Sequence, residues 1–583
     1  MIAAVLDRRD GALAEGRLLR MFRSVGREPS ALLRRGSCVL GSSRGPLVGS
    51  PPSPQALAAV AFGCIEKLPP IANTSRELVL RDACSIMAAD EAGLMLARGP
   101  YGGRPLYYAS EHAGRVVVAC SHLEPLVASS EQTYELSTER LGALIMSTTA
   151  DPIATVYRGI SRLRSCAGIR FIGDRPMAWS WLPSWPGVRR GSVNDMATEL
   201  LERIVVAVDR SVGSFAKVAV MASGGLDSSG LVAALASRAA RGVGFATDVC
   251  AIDFGGPGDD RPHLASLSTR HSLQPHRIRP ADAASVVPAS FVVDGAPVVW
   301  PTAAPFIFAG RRAHARGAEA MLSGWGGDGL FDGNLDQFAD RARAGDCMGA
   351  IRDAAKLQLL WSSSPIGRVL DYVARPLLGD LLPHSWPASL RRLRVRHSKE
   401  WQWAGSKLRP MMSIPSVAPD PDWRAEIATS IEMDEAADER GQHEVAIGIP
   451  RVDPYLDAEL IEFMVSVPAR MLFHGNRMRG LYRQAMAGLL PDSLRLRPDK
   501  ASFEPAIEEL FDSAARDPAF QGLIKMEALA DLGMVDPRRY REAVTRTMSG
   551  ESRRGWLEIW PALAVEAFVQ QRHGAARASR EVS

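Results

Sequence analysis

Nowhere in the 583 residues is there a run of the ~18 apolar residues that a membrane-spanning helix needs. The first residues also lack the basic start and apolar stretch of a secretory signal. Cysteine is sparse. The seven thiols, Cys38, Cys64, Cys84, Cys120, Cys166, Cys250 and Cys347, show no CxxC spacing and no Cys/His pairing, which argues against a structural zinc and against a disulfide framework. An excess of one charge is missing too: 69 Lys and Arg against 65 Asp and Glu leave +4 on the chain, so nothing in the global balance calls for nucleic acid or a membrane surface. A soluble cytoplasmic protein is the expectation, and the length exceeds what one hydrophobic core holds, so two domains are expected.

What is present is concentrated in residues 217–229, KVAVMASGGLDSS. Val218 to Met221 reads as a buried parallel strand, Gly224 and Gly225 as a turn of close approach, and Gly230 to Ala240 as a helix. The first turn of such a helix leaves backbone N–H groups without intrahelical partners, which favours an anion there, and Ser223, Ser228 and Ser229 add hydroxyl donors. Asp227 would repel a bare phosphate, so a divalent cation is expected between them. The Gly-Lys-Ser/Thr ending of a Walker loop is absent. A second strand is read from Asp248 to Asp253, and the loop Gly255 to Asp260 leaves its C-terminal end, where α/β sheets bind ligands. Adenine is expected between that strand end and the first loop, against Met221 and Ile252.

The 217–229 pattern resembles the SGGxDS loop of the ATP pyrophosphatases, which hold the pyrophosphate of ATP while the α-phosphate is attacked. A second stretch, 321–334 (MLSGWGGDGLFDGN), resembles the SGEGADELFGGY segment of asparagine synthetases at Ser323, Gly324, Gly326, Asp328, Leu330, Phe331 and Gly333. Pro454 to Asp457 is similar to the family's PFLD element, and Arg495 to Phe503 (RLRPDKASF) to the segment that carries a catalytic lysine. The resemblance implies pyrophosphate contacts from Ser223, Gly224, Gly225, Asp227, Ser228, Ser229, Ser323 and Gly324, Mg²⁺ on Asp227 and Asp328, and Lys500 as the cation that stabilises negative charge on oxygen.

Ala97 to Ala109 (ARGPYGGRPLYYA) looks like the family's RDPFGxRPLYY element, which implies a glutaminase sandwich at the N-terminus. A working glutaminase of this type exposes a cysteine after removal of Met1. Ile2 stands there, and Gly99 replaces the acid of the RDP element. Residues 1–185 are therefore expected to be a glutaminase-like αββα lobe without glutaminase chemistry. Residues 190–583 are expected to form an α/β ATP-pyrophosphatase domain with a parallel sheet and a helical extension, the boundary lying in the Pro- and Trp-rich segment 179–190. Residues 335–445 read as mostly helical, with a basic strip at Arg391 to Lys399.

Departures from the asparagine synthetase pattern bear on the substrate. Trp325 stands where the family has Glu in SGEG, and Pro450 where it has Glu before PFLD; β-lactam synthetases have Tyr and Glu at these places. A large aromatic in place of a carboxylate widens the pocket and removes a charge, which suits a bulky substrate better than free aspartate. The combination resembles lasso peptide cyclases, which adenylate an Asp or Glu side chain of a precursor peptide and let its own N-terminal amine attack. That resemblance implies ATP and Mg²⁺, a precursor peptide, and leader-peptidase and leader-recognition proteins of the same pathway as partners, with Trp325 and Lys500 at the reaction centre. An asparagine synthetase-like tailoring enzyme and an ammonia-dependent asparagine synthetase remain alternatives. For the base that serves the amine, Asp453 and Glu444 are the nearest carboxylates in sequence, and neither aligns with the lost Glu.

Overall fold

In the computed structural model of the chain, the described residues are 1–43, 48–49, 58–62, 80, 84–90, 93–148, 151–173, 175–213, 215–240, 246–253, 255–256, 259–333, 335–358, 364–381, 401–413, 427, 431–498, 502–551 and 555–582. The N-terminal part is two stacked antiparallel sheets of six strands each. The first runs in the order Ile160–Arg162, Tyr107–Glu111, Val116–Cys120, Ile2–Asp7, Cys38–Ser42, Ala31–Arg35. The second runs Arg175–Ser180, Ala167–Ile172, Gly93–Arg98, Ser85–Ala89, Ala58–Phe62, Val48–Gly49. Strand Ile2–Asp7 is buried along its whole length, and the period of two explains why it reads as continuously apolar. Ile2, Ala4 and Leu6 face the second sheet, among Leu40, Leu94, Leu96 and Phe171. Ala3 and Val5 face the outer helical layer, among Leu18, Phe22 and Leu126. This is the glutaminase-like sandwich. The Ile2 side chain, fully buried between its sheets, is a packing group.

Residues 181–192 carry neither helix nor strand. Helix Val193–Val212 then opens on a capping box, in which the Ser192 hydroxyl accepts from the Asp195 N–H and the Asp195 carboxylate accepts from the Ser192 N–H. Its apolar residues at helical spacing, Met196, Leu200, Ile204 and Val208, are buried. Beyond it lies a five-stranded sheet in the order His276–Ile278, Ala246–Ile252, Lys217–Met221, Ala320–Leu322, Arg451–Val452, with every neighbouring pair parallel. The chain lays strands on one side of Lys217–Met221 and then returns to lay strands on the other. The reversal opens a crevice at the C-terminal ends of Lys217–Met221 and Ala320–Leu322, the place where such sheets take their ligands.

Helix Leu226–Ala240 starts four residues earlier than the sequence suggests, because the Ser229 N–H already donates to the Gly225 carbonyl at 3.1 Å. The described parts of residues 335–445 are largely helical, in Gln337–Arg343, Cys347–Lys356, Pro365–Val369, Arg375–Leu381 and the long Ile431–Ile447 helix. The basic strip Arg391 to Lys399 lies outside the described residues. Among the described residues no helix is long and apolar enough to cross a membrane.

The two lobes share a core. Val5, Leu18, Leu126 and Tyr157 of the first pack in one cluster with Phe511, Trp560, Leu563 and Phe568 of the C-terminal helices. A second junction is ionic. Arg98 meets Asp434 at 2.9 Å with both side chains fully buried, Arg162 meets Asp438 at 2.5 Å, and Arg140 meets Glu435 at 2.8 Å. Arg104 pairs with Glu444, the Tyr107 hydroxyl donates to Asp438 at 2.8 Å, and Arg440 donates to the Gly102 carbonyl at 2.7 Å. The ARGPYGGRPLYYA stretch thus grips the Ile431–Ile447 helix.

Candidate active site

The two glycine-rich loops meet at the crevice. Gly224 has φ +87°, and a Cβ there would lie 2.5 Å from the Asp260 carbonyl oxygen, so both conformation and space require glycine. A Cβ on Gly327 would lie 2.6 Å from the Asp227 carboxyl carbon, and this is what lets the second loop close onto the first. The first loop is organised by its own hydroxyls. Ser223 Oγ accepts from the Gly225 N–H at 3.1 Å and lies 3.2 Å from Ser228 Oγ, which in turn accepts from the Ser223 N–H.

An aromatic cluster holds the first helical turn from beneath. The Tyr455 hydroxyl donates to the Asp227 carbonyl at 2.8 Å and sits 3.0 Å from the Tyr482 hydroxyl, which donates to the Leu226 carbonyl at 3.2 Å. Phe331 packs on both rings, with centroids 4.9 and 4.4 Å away. The Phe of the second motif and the Tyr of the PFLD-like element are therefore supports for the first glycine-rich loop.

A cavity of about 420 Å³ runs from Met221 and Ile252 past Ser223, Gly225, Asp227 and Ser228 to Ser323, Gly324, Trp325 and Asp328. Two expected phosphate contacts lie apart from it. Ser229 is fully buried with no hydrogen-bond partner for its hydroxyl among the described residues, because the earlier helix start turns it into the core. Gly224 is pressed against Asp260, and its carbonyl accepts from Arg497 at 3.2 Å. Arg497 also pairs with Asp260, so the Arg495 to Phe503 segment is anchored beside the loop; Lys500 itself lies outside the described residues.

Asp227 and Asp328 converge on one guanidinium. Arg479 Nη1 lies 2.7 Å from both Asp227 carboxylate oxygens, Nη2 contacts Asp328, and Nε contacts Asp332. Arg479 holds a left-handed backbone, φ 60°, and opens helix Gly480–Ala485. Among the described residues no cluster of three or more His, Cys, Asp or Glu side chains is arranged to hold a metal on its own. That fits Mg²⁺ nonetheless, since this ion is commonly held by one or two carboxylates together with substrate phosphates and water. Asp227 and Asp328 are close enough to share a cation, and in this structure the cation is Arg479.

The far end of the cavity is built by the Ile431–Ile447 helix and strand Arg451–Val452. Arg440 lies 5.8 Å from the Trp325 ring centroid and donates to Asp453 at 2.6 Å; the Ser323 hydroxyl donates to the same carboxylate. Burial alone would raise the Asp453 carboxyl, but the Arg451 and Arg440 guanidinium groups and the Ser323 hydroxyl outweigh it and hold the pKa down to about 2. Asp453 is thus a fixed anion that ties the second loop to Arg440. Glu444 is spent as well, on Arg104 and on the Arg451 N–H at 2.9 Å. Neither carboxylate that sequence proximity offered as a base is available. Instead Glu439 and His443 line the cavity, with Phe306 stacked on the His443 ring at 4.7 Å. Their i, i+4 spacing on one helix face was the signal that could have found them.

No curated protein matches the chain. Among solved structures, the glutamine phosphoribosylpyrophosphate amidotransferase from B. subtilis, complexed with ADP and GMP, is similar at 9% identity over 48% of this chain and 81% of that one, with a TM-score of 0.21. A structure described as the allosteric regulatory enzyme of purine biosynthesis is similar at 9% identity over 48% and 80%, with a TM-score of 0.21. The asparagine synthase family matches residues 199–570, which hold both glycine-rich loops, the PFLD-like element and the whole parallel sheet, and the chain belongs to that family.

Proposed function

We propose that this member of the asparagine synthase family, an ATP-dependent amide-forming ligase, closes a macrolactam in a precursor peptide. In this reading a substrate carboxylate attacks the α-phosphorus of ATP, giving an acyl-adenylate and pyrophosphate, and the peptide's N-terminal amine then displaces AMP. The observation that carries it is Trp325, partly buried at the far end of the cavity, where asparagine synthetases place a carboxylate. An aromatic wall facing a roomy cavity suits a folded peptide, whose closure needs its ends held together before reaction. Ser223, Gly225 and Ser228 would cradle the pyrophosphate, and Met221 and Ile252 the adenine. Mg²⁺ held by Asp227 and Asp328 would neutralise charge on the departing pyrophosphate. Lys500 is the proposed stabiliser of the oxyanion. Leader-peptidase and leader-recognition proteins would supply the peptide with its amine free.

The test is incubation of the full chain with ATP, Mg²⁺ and synthetic linear peptides carrying a free N-terminal amine and an internal Asp or Glu. AMP, pyrophosphate and a peptide lighter by one water are expected in equal amounts. Stoichiometric ADP and inorganic phosphate would overturn the reading of the phosphate loop. A second reading, amidation of a free amino acid, is favoured by Glu439 and Arg451, which offer opposite charges 3.6 Å apart beside the cavity. Conversion of aspartate and ammonium to asparagine, with the peptides inert, would establish that reading in place of the first.

A further inference from the structure

The amide-forming step needs a group that takes a proton from the incoming nitrogen, and both carboxylates suggested by sequence are consumed elsewhere. Glu439 is different. It lines the cavity, with Arg451 Nη1 at 3.6 Å and His443 Nε2 at 3.7 Å. His443 is 3% exposed, and its Nε2 has no hydrogen-bond partner among the described residues. Its other nitrogen, Nδ1, lies 2.8 Å from Arg451 Nη1. A guanidinium can only donate, so Nδ1 accepts and the proton of the neutral ring sits on Nε2, on the side of Glu439.

We propose that Glu439 is the general base of the amide-forming step and that His443, fixed in its tautomer by Arg451 with its Nε2–H turned towards the Glu439 carboxylate at 3.7 Å, is a positioning residue beside it. The inference deepens the function proposed above and rests on it. As the nitrogen lone pair forms the C–N bond, one N–H proton passes to a Glu439 carboxylate oxygen. The tetrahedral intermediate then collapses, the C–O bond to the phosphate breaks, and AMP leaves with that electron pair; Glu439 returns its proton to water.

The electrostatics suit the task. Burial raises the Glu439 carboxyl, Arg451 and Arg440 oppose the rise, and the Asp453 charge adds to it, so its conjugate acid is weaker than an exposed glutamic acid. Burial and the Arg451 charge hold His443 well below the ordinary histidine range against the pull of Asp453, which keeps the ring neutral. Phe306, stacked on His443, keeps water from that face. The carboxylate is thus more basic than an exposed one and better able to accept a proton.

The test compares wild type with Glu439→Gln and His443→Ala in the full chain, with ATP, Mg²⁺ and the synthetic peptides. In Glu439→Gln, pyrophosphate release during the first turnover should stay within about threefold of wild type, while amide product falls at least ~10²-fold, the lower scale of general-base catalysis. Hydroxylamine, which attacks without a base, should trap the acyl-adenylate equally well in both. In wild type the rate should fall as the pH drops through the raised Glu439 pKa, and that acid limb should vanish in Glu439→Gln. His443→Ala should move the limb to higher pH, because a lost N–H donor raises a carboxyl pKa, and His443→Gln, which restores an N–H donor, should move it back. Unchanged amide formation in Glu439→Gln, or equal loss of both half-reactions, overturns the inference. If wild type releases no pyrophosphate with any peptide, the macrolactam reading fails, and the same comparison on aspartate with ammonium decides the base.

Discussion

Replacing Asp328 by Ala should stop pyrophosphate release almost completely while leaving the fold intact. The Asp328 side chain is 60% exposed at the rim of the cavity, so its removal takes little packing away, and a surface change of this kind usually shifts stability by no more than ~0.5 kcal/mol. What is lost is one of two carboxylates that converge on a single cationic position. Asp227 alone would then face both the metal and the phosphates. A fall of at least ~10²- to 10³-fold in first-turnover pyrophosphate is expected, the scale of losing one preorganised electrostatic contact to the reacting group. Asp328→Asn, which keeps the shape and removes the charge, should be equally poor. The measurement is pyrophosphate release across a Mg²⁺ titration, with a thermal melt as control. Near wild-type release from either variant would remove Asp328 from the metal site.

The second large effect is expected at Trp325, and there the two half-reactions should separate. The ring lines the cavity beside Arg440 and makes no hydrogen bond to Ser223 or Ser228, so Trp325→Ala should leave ATP-dependent adenylation within a few-fold of wild type. Cyclisation should drop steeply. Truncation of an enclosed aromatic costs ~3 to 5 kcal/mol, and a partly buried one loses about half of that, which amounts to ~10- to 10²-fold in product. Trp325→Glu should be worse for cyclisation for a different reason. The new carboxylate would lie beside the Arg440 guanidinium and compete with Asp453 for it, loosening the anchor of Ser323 and the second loop. Because that charge finds a partner, the variant should fold; and because Pro450 remains, it should not make asparagine. Equal cyclic product from wild type, Trp325→Ala and Trp325→Glu would show that position 325 does not touch the peptide.

The parts of this molecule that were legible in the sequence are those in which backbone conformation and residue type are tied. Strand Lys217–Met221, the left-handed Gly224 and the helix after it follow from an apolar run, a glycine pair and hydroxyls, and the second loop follows from the same grammar. The start of Val193–Val212 was readable from its cap. Long-range electrostatics was not. Asp453 was a candidate because it stands close in sequence to the lost Glu; Arg440, from a different element, and Arg451 consume it. Arg479 carries no local sign that it will sit among three carboxylates distant in sequence. Ser229 looked like a donor until the helix began one turn early. Glu439 and His443 lie in a segment of weak family resemblance, and only the fold of Ile431–Ile447 against the crevice gives them a role.

The ionic junction between the lobes bears on how freely this architecture can be rearranged. An N-terminal lobe of this kind would ordinarily be a module, open to exchange or deletion. Here Arg98, Arg104, Arg140 and Arg162 neutralise Asp434, Glu444, Glu435 and Asp438 on the helix that presents Glu439, Arg440 and His443 to the cavity. A buried charge left without its partner costs ~3 to 5 kcal/mol, and a single such loss approaches the whole stability of an ordinary domain. A chimera that takes its first lobe from a relative would therefore have to import the matching acidic helix as well, and with it a different far end of the cavity. The first lobe and the far end of the cavity would have to be exchanged together.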